Sequence, residues 1–144
     1  MTQIRSIIEK DIPDVLPMIH ALAAHHGDTG IVTKDELRRD ALGPSPWVRV
    51  LVAEGFGYAA LCPLSQLQFG VRGMDLHHIF VVESARGRGV GRALIDAAIA
   101  CAKAEGAQYL TVGTHPENVH AQDIYRSAGF EEFNAAGVRF RMKF

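Results

Sequence analysis

The run from Val81 to Leu94, VVESARGRGVGRAL, constrains this chain more than any other, because a β-branched strand ends in a glycine-arginine turn that opens an amphipathic helix. Gly87, Gly89 and Gly91 let successive backbone N–H groups converge, and the helix start adds roughly half a positive elementary charge. Such a turn cradles phosphate. Arg86, Arg88 and Arg92 place full charges beside it, and this density of guanidinium groups implies a ligand with more than one phosphate, such as a pyrophosphate. The competing reading is a solvated basic turn. Three turn glycines carry an entropic cost that a plain surface loop rarely needs.

The rest of the composition makes this cluster a local feature. A chain of 144 residues with 48% hydrophobic and 22% charged content can bury one real core, and its net charge of -1 argues against a general affinity for nucleic acid or anionic membrane. The partner is expected to be small. Cys62 and Cys101 sit in apolar segments and read as buried thiols, not as a disulfide. The start lacks a signal-peptide apolar run, and no stretch approaches the ~20 apolar residues of a membrane helix, so a cytoplasmic location is expected.

Along the chain, Ile4, Ile7 and Ile8 predict a first strand. Asp11 and Pro13 then open a helix whose stripe runs through Ile12, Val15, Leu16, Ile19, Leu22 and Ala23 to a stop at Gly27. Thr33 and Glu36 form a capping box for a short second helix, closed by Gly43, Pro44 and Pro46. Trp47–Glu54 and Phe56–Leu64 read as a hairpin, and Met74–Val82 as the strand entering the glycine turn. Leu94, Ala97, Ala98 and Cys101 give the next helix its buried stripe. Tyr109–Val112 follows as a strand, then a helix over Asn118–Ala128, then a hairpin around Gly137. This order predicts one α/β or α+β layered domain with helices covering a mixed sheet. A dinucleotide fold is disfavoured, since the glycines are spaced GxGxG and follow several strands; a Walker loop lacks its Gly-Lys-Ser/Thr ending.

The residues resemble the GNAT superfamily of acyl-CoA-dependent N-acetyltransferases. Its signature, Arg or Gln, two residues, Gly, one residue, Gly or Ala, is matched by Arg86-Gly87-Arg88-Gly89-Val90-Gly91. A second signature is matched by Asn118, Ala121, Tyr125, Gly129 and Phe130 in NVHAQDIYRSAGF. The stretch TKDELRRDALGPSPWVRVLVAE and the terminal VRFRMKF look similar to the diamine (spermidine/spermine) acetyltransferase branch. The resemblance implies one acetyltransferase domain over residues 1–144, with a mostly antiparallel mixed sheet of about seven strands and about four helices. It implies a homodimer, and acetyl-CoA as cosubstrate, its pyrophosphate on Arg86–Arg92 and its pantetheine along Phe80, Val81 and Val82. Asn118 would contact pantetheine, although alone it also reads as a helix N-cap.

An alkyl amine, with a pKa near 10.4 when lysine-like, is mostly protonated at neutrality, and only its neutral form attacks a thioester. A base must help. The acidic pair that the diamine branch places here aligns with His77 and His78, a departure that weakens polycation recognition while histidine can still take a proton. Adjacent strand residues point to opposite faces, so at most one is expected to face the acceptor; His77 is the candidate base and His78 a substrate contact. Both could instead be hydrogen-bonded sheet residues, and a strand pair is a poor metal site, so no metal is expected. In family members with tyrosine at the position of Tyr125, its hydroxyl protonates the departing thiolate; packing is its plain alternative. The Val81 N–H would polarise the acetyl carbonyl. His26 and Asp28, after the first helix, are candidate acceptor contacts or an exposed helix end, while Trp47 and Tyr58 read as core or dimer-interface residues. The expected reaction is direct acetyl transfer to a primary amine of a small molecule. A protein lysine or N-terminus as acceptor, and a non-catalytic acyl-CoA-binding module, are the alternatives.

Overall fold

A computed structural model describes residues 2–135 and 137–144. The chain forms two compact units, one ending at Gly113 and one spanning Thr114–Phe144.

The first unit is a five-stranded sheet in the order β1 (Ile4–Ser6), β2 (Arg49–Ala53), β3 (Gly57–Gln66), β4 (Val71–Val81), β5 (Leu110–Val112). Neighbours are antiparallel except β4 and β5, which run parallel. Alternation along the strands divides the core. Val50, Val52, Tyr58 and Ala60 face the helices α1 (Ile12–His25) and α2 (Lys34–Ala41), packing with Ile12, Val15, Met18, Leu22 and Leu37. Leu51, Ala59 and Leu61 lie on the opposite face, where α3 (Val90–Ala104) packs across β2, β3 and β4. The buried stripe of α3 is Val90, Leu94, Ile95, Ala98 and Ala102, rotated from the expected one, with Ala97 and Cys101 only half-buried. No helix among the described residues is long and apolar enough to cross a membrane.

Local signals set most helix ends. The Thr33–Glu36 capping box is made in both directions, at 3.1 and 3.0 Å. Gly27, at φ 80°, follows the end of α1. Asp11 does not cap α1 with its side chain as expected. Its buried carboxylate instead takes the Arg5 guanidinium at 2.7 and 2.9 Å and the Ile8 N–H at 2.8 Å, which holds it well below the usual carboxylate range. A forked, charge-assisted pair outcompetes a single capping bond.

The second unit carries α4 (Val119–Ser127). The sheet has five strands where about seven were expected, because the terminal hairpin is not formed among the described residues. Val138, Phe140, Met142 and Phe144 alternate with Arg139, Arg141 and Lys143 and stay exposed; such a segment has strand propensity but no ladder partner, and an isolated strand is not stable in water.

Candidate active site

Strand β4 is paired on both sides only over a short stretch of its first half. β5 meets it from Met74 to Leu76, so from His77 onward one edge of β4 is open within this unit. Val82 donates its N–H to Phe56 O at 2.8 Å on the β3 side, so strand alternation turns the N–H of Val81 toward the open edge. The carbonyl of Val81 accepts from Arg86 Nε at 3.0 Å, and the same guanidinium lies 5.9 Å from the centroid of the Phe80 ring. Gly57 lets β3 approach this end of β4 closely, since a Cβ there would overlap the Phe80 carbonyl oxygen.

The strand then passes through a short turn into α3. Gly87 and Gly89 adopt left-handed φ values of 76° and 81°, and space where their Cβ atoms would stand is open. Gly91 is not left-handed; a Cβ there would sit in ordinary contact with Val81. Gly89 is the N-cap residue and offers no side chain. The first N–H taken up inside α3 is that of Ala93, bonded to Gly89 O, so the N–H groups of Val90, Gly91 and Arg92 have no backbone acceptor among the described residues. These donors and the helix dipole suit an anion. Arg88 is exposed with no ion-pair partner among the described residues, whereas Arg92 pairs with Asp96 at 3.0 Å.

Beside the turn lies an open cleft of about 790 Å³. Phe80, Val82, Glu83 and Arg86 form one wall, and Pro13, Pro17, Met18 and Ala21 of α1 the other. The contribution of α1 to this wall was not apparent from the sequence, because an amphipathic stripe reveals a helix's buried face and not what its remaining surface borders.

The histidine pair departs from the expected alternation. β3 and β4 are in register from Gly57/Val81 to Ala60/His78, and the register then shifts to Leu61/Leu76, which leaves His77 as the extra residue of a bulge. The bulge turns consecutive side chains to the same side, and the two rings stack at 4.2 Å with planes 15° apart. His77 is exposed, while His78 is half-buried and its Nδ1 lies 3.1 Å from the Tyr58 hydroxyl. Burial, with His77 and His26 adding like charge, pushes His78 down to about 4, so it is neutral near pH 7. His26 closes α1 as its C-cap, and Asp28, also exposed, uses its N–H to bond Ala23 O at 2.8 Å. Tyr58 is a core residue at 1% exposure, and burial raises its phenol pKa; Trp47, at 79%, is not.

In the second unit Asn118 is the N-cap of α4, its Oδ1 accepting from the Ala121 N–H at 3.1 Å. Tyr125 is half-buried with its ring edge-on to Phe130, 5.8 Å away, and burial keeps its hydroxyl protonated to higher pH than usual. The thiols of Cys62 and Cys101 are likewise shifted up by burial, the reverse of an activated nucleophile. Among the described residues no cluster of three or more metal-binding side chains occurs.

The mixed sheet thus has an open-edged strand running into an uncapped, glycine-rich helix start, with backbone N–H donors left free at both among the described residues. A family profile described as "Acetyltransferase (GNAT) domain" matches residues 46–132. The chain belongs to this family and is an acetyltransferase. It is 27% identical to a thialysine N-epsilon-acetyltransferase of Bos taurus, across 92% of this chain and 86% of that protein. It is 31% identical to a mycothiol acetyltransferase of Cellulomonas flavigena across 88% of this chain, but spans only 40% of that relative's length. Among solved structures, a putative acetyltransferase from Agrobacterium tumefaciens superposes with a TM-score of 0.79 at 20% identity, covering 97% of this chain and 99% of that one.

Proposed function

We propose that this acetyltransferase moves the acetyl group of acetyl-CoA to a primary amine of a small molecule by direct transfer in a ternary complex. The observation that carries the reading is the open edge of β4 leading directly into the uncapped start of α3, an amide ladder followed by an anion cradle. That pair of features fits pantetheine and pyrophosphate in turn. Backbone groups of Phe80, Val81 and Val82 would receive the pantetheine, with Asn118 as a further contact. Arg86, Gly87, Arg88, Gly89, Val90, Gly91 and Arg92 would receive the pyrophosphate. The similarity to an N-epsilon-acetyltransferase over most of both chains supports an amine acceptor.

When bound, the thioester supplies an activated acetyl group and a thiol leaving group. The side chains manage the protons. His77, exposed on its bulge, takes the proton of the acceptor ammonium, freeing the lone pair that forms the new C–N bond. The Val81 N–H donates to the carbonyl oxygen as negative charge gathers there. As the C–S bond breaks, the Tyr125 hydroxyl, kept protonated by its raised pKa, gives its proton to the departing sulfur, and the second proton shed by the new amide nitrogen restores the phenol through water. His26, Asp28 and His78 orient the acceptor. The enzyme acts in the cytoplasm as a homodimer, with residues 1–144 as one catalytic domain.

The test is release of CoA thiol from acetyl-CoA against a panel of diamines, polyamines, aminoglycosides, amino acids and lysine peptides, with Tyr125→Phe as control. One responsive small amine, with turnover reduced about 100-fold or more in the variant and acetyl-CoA affinity kept, is the expected result. Response only to peptides would move the acceptor to proteins. Tight acetyl-CoA binding with no turnover would point to an acceptor outside the panel or to an acyl-CoA-binding module, and absence of binding would overturn the reading.

A further inference from the structure

Tyr58 is buried to 1% exposure among apolar side chains, a costly place for a hydroxyl unless it is bonded. Its register partner on β4 is Phe80, and His78, two residues away, is its diagonal neighbour on the same face of the sheet. The Tyr58 hydroxyl meets His78 Nδ1 at 3.1 Å, and it has no other partner among the described residues. This single contact decides where the imidazole proton sits. If Nδ1 carried the proton and donated to the phenol oxygen, the phenol O–H would be left buried with nothing to accept it, at a cost of about 1–3 kcal/mol. If the phenol donates, Nδ1 accepts and every buried group is satisfied. The proton of the neutral ring then lies on Nε2, which bonds to no protein group among the described residues. Since no buried side-chain nitrogen or oxygen among them lacks a partner, Nε2 reaches solvent.

We propose that Tyr58 is a positioning residue that locks His78 in its Nε2–H tautomer, making His78 a fixed hydrogen-bond donor beside the base. His78 thus offers no lone pair to an ammonium; that task falls to His77, which the bulge stacks against it. The donor suits an acceptor atom on the bound substrates, such as an oxygen or a bridging water. The charged and titratable groups bearing on His78 are His77 of the same strand and His26 at the end of α1, with Tyr58 from β3. Both histidine charges disfavour a second proton on the ring, so the donor stays neutral. The division of labour between the two rings rests on the proposed transfer reaction, whereas the tautomer does not.

The test is nitrogen-15 NMR of histidine-labelled full-length protein, with the His78 signals assigned by their loss in His78→Gln. In the wild-type protein His78 is expected to show an unprotonated Nδ1 and a protonated Nε2, unchanged from pH 8 to pH 5.5. Tyr58→Phe keeps the ring in the core and removes only the hydroxyl; it should release His78 into a mixture of tautomers and lower kcat about tenfold without changing acetyl-CoA affinity. A protonated Nδ1 in the wild-type protein would overturn the proposal even if the variant failed to fold. So would a His78 tautomer indifferent to Tyr58→Phe. The locked tautomer in a protein that acetylates no amine would leave the lock standing and refute the transfer reaction and the division of labour with it.

Discussion

The glycine-arginine turn and the histidine bulge are close together along the chain, yet they are shaped by opposite means. The turn is shaped by its own residues: Gly87 and Gly89 hold left-handed φ values that other residues rarely adopt, and no distant side chain is needed to put them there. The bulge is shaped by a partner strand. Nothing in Leu76-His77-His78-Ile79 requires an extra residue; it is the pairing with Ala60 and Leu61 of β3 that excludes His77 from the ladder. In the proposed function, cofactor binding would thus be written in local backbone preference, while the proton chemistry would be arranged by tertiary pairing.

The largest expected effect tests the local half of this contrast. Gly89→Val should strain the backbone by about 1–2 kcal/mol and misdirect the N–H groups, lowering acetyl-CoA affinity about 100-fold or more by calorimetry. Unchanged affinity in a folded variant would remove the turn from the binding site. His77→Ala should reduce kcat about 100-fold near neutrality. The deficit should shrink as pH rises toward the amine pKa near 10.4, where the acceptor loses its proton unaided. A deficit equal at all pH values would show that His77 is not the base.

A smaller effect concerns stability. His78 is held at about 4 in the folded protein against about 6.5 unfolded, so between these values the unfolded chain binds more protons and stability falls as pH falls. In His78→Gln the loss of Tm between pH 7 and pH 5 should be a few degrees less than in the wild-type protein; an equal loss would mean that the ring is not neutralised by burial. Arg92→Ala should matter least for the fold, because its pair with Asp96 is exposed and worth about 0–1 kcal/mol. Acetyl-CoA affinity should nonetheless drop severalfold and lose part of its salt dependence. An unchanged salt dependence would assign Arg92 to Asp96 alone.

Elements carried by strong local signals were legible in advance. The capping box of α2, the glycine stops and the β-branched runs announced most of the first unit. The terminal hairpin was expected but does not form among the described residues, since Val138-Arg139-Phe140-Arg141-Met142 has strand alternation but alternation supplies no ladder partner. Asp11 looked like a cap until Arg5, across the chain's first turn, claimed its carboxylate. Tyr58 was expected in the core or at a dimer interface, and it lies in the core. Its link to His78 depends on the register of β3 against β4, which no local pattern specifies.

By itself, then, the sequence determined the family, the strand-turn-helix cradle and the chemistry available to it, because φ preferences and side-chain types act over a few neighbouring residues. Only the tertiary structure decided that two consecutive histidines share one side, that a core tyrosine reaches one of them, and that α1 walls the cleft. Those outcomes require segments distant in the chain to meet in one register, and register is settled by packing the whole sheet.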